Sequence, residues 1–199
     1  MSITKISKRR LTETHAYVAP PTVSAPGLLQ GGSDRTFQKL VFDLFTISAR
    51  LEDVRIHVAS RMAISPPQYS VLRAVAALQG PRGVSIGAIA DHLNVSSAFI
   101  TAQSRGLFER DLMHKREDAT DRRVSRVSLT RKGEGLVDDI VEQVRPINDI
   151  FFGVLGVREF DALSAIVDKL VQSSRNAMIR IAADRYEASL FTRDRRSVP

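Results

Sequence analysis

The sequence contains no cysteine and no tryptophan. Without a thiol the chain forms no disulfide, holds no metal through cysteine and senses no oxidant by thiol chemistry. No apolar run approaches the roughly 20 residues that span a bilayer, and the charged N-terminus lacks the apolar core of a secretory signal. These absences predict a cytoplasmic protein without a membrane partner.

Sets of catalytic or metal-binding residues are also missing. The four histidines, His15, His57, His92 and His114, are scattered, with no pair at helical i, i+4 spacing. Neither a phosphate-binding loop nor a cluster of histidine, serine and carboxylate marks an enzyme. The sequence therefore predicts that the protein is not an enzyme and has no cofactor or metal.

Positive charge is what the chain has in excess. It carries 29 basic and 22 acidic residues, for a net charge of +7. Residues 105–132 hold nine basic against five acidic residues, whereas residues 133–179 hold four against eight. Such a basic block favours an anionic partner, nucleic acid or an anionic membrane surface, and a solvated face of mixed charge is the alternative.

The first third of the chain divides into an arm and a helix. Residues 1–33 contain three prolines and a Gly31-Gly32 pair without any sustained period, which predicts an irregular or disordered arm. From Thr36 to Met62 apolar residues follow helical spacing over about seven turns. We assign residues 34–64 to a helix long enough for a subunit contact.

Residues 65–107 carry the signals of three more helices. Ser65 and Gln68 enclose a Pro-Pro pair, a pattern that predicts a capping box at the start of the second helix. Ser85 and Ser96 are positioned to cap the next two helices, and Asn94 between them tolerates a left-handed turn. This is the pattern of a helix-turn-helix.

The last of these helices has two predicted faces. Phe99, Ile100 and Leu107 are its candidate core residues. Ser97, Thr101 and Arg105 recur every four residues on another face, which is either a surface that approaches base edges and phosphates or an ordinary solvent face. The helix alone does not decide between the two.

A predicted β-hairpin follows at once. Leu112–Arg116 and Val124–Leu129 are short strand-like runs, separated by the polar turn 117–123. Alternation directs Val127 and Leu129 inward and Arg126 and Ser128 outward. A helix-turn-helix followed by a basic hairpin is a winged helix.

At this point the sequence resembles the MarR family of bacterial transcriptional regulators. The residues that carry the resemblance are Asp121 and Arg123, then Leu129-Thr130, then Gly133, together with Ser65–Gln68. The resemblance implies a mainly α fold with a small β-hairpin wing: a winged helix-turn-helix domain, here residues 65–130, between N- and C-terminal dimerisation helices.

The resemblance also implies which residues touch DNA. In the family, the arginine at the position of Arg123 reaches the minor groove, and the aspartate at the position of Asp121 braces it, which suits a narrow groove of high negative potential. Arg122 and Arg126 would then contact phosphates. The expected DNA-binding residues of the recognition helix are Ser96, Ser97, Thr101, Gln103 and Arg105.

The sequence departs from the family pattern at five positions. Many members have a glycine at the position of Asp111 and an arginine at that of Ala102. Apolar residues are common where this chain has Gln103 and Ser104, and Gly106 lies near the end of the recognition helix. These departures leave the expected operator sequence undefined.

After Thr130, a candidate helix cap, residues 131–192 read as two further helices, followed by a basic tail at 193–199. Pro146 is expected to kink or break the first of them. Apolar residues from Phe160 to Ile181 follow helical spacing. In the family, the first and the last two helices join two subunits, so the resemblance implies a homodimer on a pseudo-palindromic operator with half-sites about one helical turn apart.

Family members often bind a small aromatic molecule between the dimerisation helices and the DNA-binding lobe. Arg50, His57 and Tyr69 are the candidate lining residues here, and each also reads as an ordinary surface or core residue. The expected function is a transcriptional repressor that binds double-stranded DNA and is released by such a ligand. The alternative is an architectural DNA-binding protein with little sequence specificity.

Overall fold

The structure is a computed structural model that describes residues 17–118 and 125–194, with side chains described as far as Tyr186. The chain divides into two compact units, Met1–Arg55 and Ile56–Pro199. A short 3-10 helix, Pro26–Leu28, precedes the regular elements. These are α1 Arg35–Arg61, α2 Pro66–Leu78, β1 Val84–Ser85, α3 Ile86–Leu93, α4 Ser97–Glu109, β2 Met113–Glu117, β3 Ser125–Leu129, α5 Arg131–Phe152 and α6 Val157–Asp194.

In the first unit, the described part of the predicted arm is held against the start of α1. Asp34, the residue before α1, is only 5% exposed. Its carboxylate accepts hydrogen bonds from the backbone N–H and the hydroxyl of Thr22, both at 2.7 Å, and from the side-chain amide of Gln38 at 3.0 Å. Residues 17–33 are mostly irregular, as expected. Thr22 nevertheless connects this segment to the start of α1.

Hydroxyl side chains begin the helices of the second unit as predicted. Ser65 accepts from the N–H of Gln68 at 3.3 Å, while Gln68 Oε1 accepts from the N–H of Ser65 at 3.0 Å, which completes the capping box. Ser85 and Ser96 cap α3 and α4 in the same way. Asn94 has the left-handed conformation, with φ 53°, that the turn between α3 and α4 requires.

A three-stranded antiparallel sheet follows, in the order β1-β3-β2. β2 pairs with β3 from Met113↔Leu129 to Glu117↔Ser125, so the predicted hairpin is present. β1 was not predicted: Val84 pairs with Val127 and Ser85 with Arg126. The same serine that caps α3 therefore joins the helix-turn-helix to the wing.

The core of the second unit lies between α2, α3, α4, α5 and the sheet. Side chains from each element are fully buried there: Leu72, Ile89, Ile100, Leu107, Val127 and Ile140. The prediction that Phe99 belongs to this core is wrong, since Phe99 is 38% exposed. It lies about 100° around α4 from the buried Ile100, on the side that is turned towards solvent.

Both C-terminal helices are present. Thr130 caps α5 by accepting from the N–H of Gly133 at 3.0 Å. Pro146 does not break α5, which runs to Phe152. Val137, Ile140 and Val144 anchor the helix in the core, and this packing outweighs the loss of one backbone donor. None of the helices in the described ranges is both long and apolar enough to cross a membrane.

Candidate nucleic-acid interface

α4 presents a polar face to solvent. Ser97, Thr101 and Arg105 are all exposed along it, and exposed Ala102 lies beside them. The Thr101 hydroxyl donates to the carbonyl of Ser97 at 2.9 Å, which fixes its side chain and leaves its oxygen as an outward acceptor. Short side chains followed by one cation give a surface on which a DNA duplex can approach the helix closely.

Two other predicted recognition-helix residues are placed differently. The Ser96 hydroxyl accepts from the N–H of Phe99 at 3.1 Å, so it serves the helix cap. Gln103 lies two positions after Thr101, which is about 200° around the helix, and it is half-buried. Gln103 therefore lies apart from the face formed by Ser97, Thr101 and Arg105, and its contact with DNA stays a prediction.

The wing divides into a part that the structure describes and a part that it does not. Asp121, Arg122 and Arg123 lie outside the described residues. Arg126 was expected to point outward to a phosphate, but its guanidinium is half-buried: Nε pairs with the carboxylate of Asp118 and Nη1 donates to the carbonyl of Gly83 at 3.2 Å. The predicted alternation is present, since Val127 and Leu129 are buried and Arg126 is not. The buried carboxylate of Asp118 holds the Arg126 side chain at the base of the wing, and its contact with a phosphate stays a prediction.

Sequence reasoning missed two exposed cations on the wing. Lys115 and Arg116 are consecutive residues of β2, on opposite faces of the strand, and both are exposed. The signal in the sequence was a pair of consecutive basic residues at the end of a predicted strand. The motif at residues 121–123 was instead taken as the DNA contact of the wing. Asp118 was missed too, because nothing in its sequence neighbourhood predicts burial.

The turn between α4 and β2 explains one departure from the family pattern. Asp111 has φ 56°, in the left-handed region where glycine is favoured. Its N–H donates to the carbonyl of Phe108 at 2.9 Å, and its carbonyl accepts from the hydroxyl of Thr130 at 2.7 Å. The backbone is thus held in a conformation that glycine adopts without strain and aspartate tolerates.

The Leu129-Thr130 and Gly133 motif joins the wing to α5. Thr130 bonds both Asp111 and Gly133 through its hydroxyl. A Cβ atom on Gly133 would lie 1.9 Å from the carbonyl oxygen of Leu112, so the helix approaches β2 as closely as glycine alone permits. The motif fixes the second wing strand against the start of a long helix.

Ser104 occupies a core position of α4. It is fully buried, and its hydroxyl has no hydrogen-bond partner among the described residues. An unpaired buried hydroxyl costs about 1–3 kcal/mol. An apolar side chain at this position would avoid that cost.

The predicted ligand pocket is not assembled within either unit. Arg50 belongs to the first unit and is exposed, while exposed His57 and half-buried Tyr69 belong to the second. A groove of about 610 Å³ in the second unit has other walls: Ala90, Asp91, Asn94, Val95, Val171, Ser174, Arg175, Met178 and Ile179. Across it, a guanidinium N–H of Arg175 in α6 donates to Asn94 Oδ1 at 3.0 Å.

Groups of titratable side chains that resemble a metal site do not occur in the ranges 17–118 and 125–194. The polar face of α4 ends in the exposed cation Arg105, and β2 exposes Lys115 and Arg116. Both would receive a polyanion.

Comparison with known proteins agrees with this geometry. The model of the MarR family matches residues 64–125, which run from the residue before the cap of α2 to the first residue of β3. None of the curated proteins compared with the chain matches it.

Solved structures share the fold. The complex of S. aureus MepR with DNA is 20% identical, covers 67% of this chain and 96% of MepR, and has a TM-score of 0.58. CouR from Rhodococcus jostii RHA1 bound to p-coumaroyl-CoA is 21% identical over 67% of this chain and 90% of CouR, with a TM-score of 0.57. Apo MarR from E. coli is 16% identical over 66% and 95%, with a TM-score of 0.52. The predicted winged helix-turn-helix fold is confirmed.

Proposed function

Because a MarR-family domain spans residues 64–125, we propose that this chain is a homodimeric transcriptional regulator that binds a pseudo-palindromic DNA operator. The observation that carries the proposal is the exposed polar face of α4, with Ser97, Thr101 and Arg105, beside a wing whose exposed strand bears Lys115 and Arg116. Short side chains read base edges, and the flanking cations meet phosphates.

Charge supports a nucleic-acid partner. Residues 105–132, from the end of α4 to the start of α5, hold nine basic and five acidic residues. Two structures of similar fold contain DNA: MepR in complex with DNA, and the transcriptional repressor CouR bound to a 23-mer duplex. The same surface of this chain is the one that we expect to face the duplex.

Apolar side chains on the long helices support a dimer. In α6, Phe160, Leu163 and Val167 are all more than 40% exposed in the single chain, and they fall on one stripe of the helix. In α1, Phe42 and Phe45 are three positions apart, so they lie on one side of the helix, and both are exposed. Exposed apolar area of this extent is typical of a subunit contact.

We further propose that the protein acts as a repressor and that a small ligand, of the aromatic class, releases it. CouR is described as a transcriptional repressor and was solved with p-coumaroyl-CoA bound. Arg50, His57 and Tyr69 remain the candidate lining residues in the dimer. A change in operator affinity on titration with aromatic carboxylates and their thioesters tests this part separately.

The central experiment compares binding to the DNA that flanks the protein's own gene with binding to random duplex at fixed salt. A specific regulator should prefer its operator by at least about 10³-fold. Log affinity should fall with log salt at a slope of about −0.9 per phosphate contact. Equal affinity for both duplexes would favour the architectural alternative.

Two variants separate wing from helix. Arg123→Ala should weaken operator binding by roughly 1–3 kcal/mol, the range for one good arginine contact. Thr101→Ala should instead change which bases are preferred, because it lies on the face of α4 that reads sequence. Affinities for single-base operator variants measure both effects, and unchanged binding by Arg123→Ala would remove the wing from the interface.

A further inference from the structure

Asp118 is a buried carboxylate at the end of the first wing strand. It is 8% exposed, directly follows β2, and accepts a hydrogen bond from Nε of Arg126. A buried carboxylate is costly unless a cation or several donors accompany it. The ion pair with Arg126 therefore offsets the cost of burying Asp118 at this position.

The guanidinium of Arg126 reaches a third segment. Its Nη1 donates to the carbonyl of Gly83 at 3.2 Å. Gly83 precedes β1, whose Ser85 pairs with Arg126 in the sheet and caps α3. One side chain thus ties the end of β2 and the middle of β3 to the start of the helix-turn-helix.

Charge on this face of the wing argues against a phosphate role for Arg126. Arg116 and Arg126 are direct cross-strand partners, and like charges in that position repel. Asp118 lies two residues beyond Arg116, on the diagonal from Arg126, and forms the ion pair there. Of the two arginines, the exposed one, Arg116, is available to a duplex, and the half-buried one is engaged inside the protein.

We propose that Asp118 and Arg126 are positioning residues, which hold both strands of the wing against the helix-turn-helix so that wing and recognition helix meet one duplex together. The inference rests on the proposed DNA-binding function. It assigns to Asp118 a favourable contribution to DNA binding, although its charge repels DNA.

Electrostatics and positioning therefore predict opposite effects when the charge of Asp118 is removed. In Asp118→Asn a negative charge near the duplex is lost, so electrostatics alone would tighten operator binding. Positioning demands the opposite, because the neutral amide releases Arg126. We expect a loss of about tenfold in operator affinity at fixed salt, the scale of one charge-assisted hydrogen bond. Tighter or unchanged binding would overturn the proposal.

Glu117→Gln is the matched control. Glu117 is the neighbouring carboxylate, carries the same charge and is exposed. Its neutralisation should leave operator binding unchanged or tighten it slightly. An equal loss in both variants would mean that any carboxylate in this strand matters, which also contradicts a specific brace.

A double-variant cycle separates positioning from a general loss of structure. In an Arg123→Ala background, in which the proposed wing contact is already gone, Asp118→Asn should cost little further affinity. A full additive loss would show that the substitution acts through the fold and not through the wing. Melting temperatures of all variants are compared with that of the parent.

If Asp118→Asn is too unstable to study, Arg126→Lys is the second variant, because it keeps the positive charge of the ion pair. A single ammonium cannot replace two guanidinium N–H groups aimed at Asp118 and Gly83, so affinity should again fall. Parent-like affinity of Arg126→Lys would overturn the proposal. If the parent itself fails to prefer its operator over random duplex, the proposed function fails and not the brace.

Discussion

At the scale of the residue, Asp34 shows how the N-terminal arm is attached. Three hydrogen bonds to its carboxylate, above all from the backbone N–H of Thr22 and then from Gln38, lower its pKa to about 2. The ionised carboxylate is thus favoured by the attached arm. Released from Thr22, the same group would have a higher pKa, which the hydrogen bond from Gln38 would still hold below its ordinary value.

A pH dependence follows from this shift. Because the pKa of Asp34 is lower in the folded state, the ionised group stabilises the attached arm above pH 4, the ordinary range of an aspartate. This stabilisation is lost as the pH falls from about 4 towards 2. Carboxyl carbon chemical shifts of Asp34 should show a midpoint near 2 by NMR titration.

Thr22→Ala provides the comparison. It removes the hydroxyl donor but keeps the backbone N–H, so the pKa of Asp34 should rise and still lie below its ordinary value. A midpoint near 4 in the parent would show that the arm is not attached in solution.

Residue roles were predictable where they depend on close neighbours in sequence. Ser65, Ser85, Ser96 and Thr130 were each assigned as helix caps, because a cap needs only the residue and the next turn. The burial of Asp118 and Arg126 was not predictable, since their shared environment includes Gly83, which lies 43 residues from Arg126.

At the scale of the element, Gly106 and the capping box of α2 depend on each other. A Cβ atom at residue 106 would lie 2.6 Å from Nε2 of Gln68. Gln68 is the residue whose Oε1 completes the box with Ser65. The absence of a side chain at Gly106 therefore leaves room for the capping glutamine of α2.

Two matched substitutions test this dependence. Gly135→Ala, in α5 with open space around it, should raise the free energy of unfolding by about 0.5–1 kcal/mol through helix propensity. Gly106→Ala gains the same propensity but displaces Gln68, so it should be less stable than Gly135→Ala by about 1 kcal/mol. Urea unfolding at one protein concentration measures both.

A third variant identifies the cause. Once Gln68→Ala has removed the obstacle, Gly106→Ala should stabilise the protein as Gly135→Ala does. If Gly106→Ala stabilises the parent equally well, then Gln68 moves away without cost and the two elements are independent.

Helices and strands, like single residues, were predictable where they depend on neighbours in sequence. The six helices were predictable because apolar spacing and caps are local signals. β1 escaped prediction because two residues carry no alternation and its partner, Val127, lies 43 positions after Val84. The prediction that Pro146 would kink or break its helix did not account for the buried residues of α5, which stabilise the helix although one backbone donor is missing.

At the scale of the whole molecule, the apolar stripe of α6 is the feature that a single chain leaves exposed. Val167 lies within it and is 41% exposed. Val167→Glu should therefore leave the fold of one chain intact and disrupt the proposed dimer. An unpaired charge buried in the contact costs about 3–5 kcal/mol, which raises the dimer dissociation constant by more than about 100-fold.

Lys169→Glu is the control, because it introduces the same side chain about 200° around the helix from Val167. Analytical ultracentrifugation over a concentration series measures the dissociation constants. A parent that is monomeric at micromolar concentration, or a Val167→Glu variant that dimerises like Lys169→Glu, would remove α6 from the subunit contact.

The bond between Arg175 and Asn94 links α6 to the turn that precedes the recognition helix. In the proposed dimer, the element that joins the subunits is then the element that also fixes the separation of the two recognition helices. One inserted base pair moves a half-site by about 3.4 Å and turns it by about 35° around the duplex. Because α6 would hold that separation in the proposed dimer, we expect one inserted base pair between the half-sites to weaken binding more than one base substitution does.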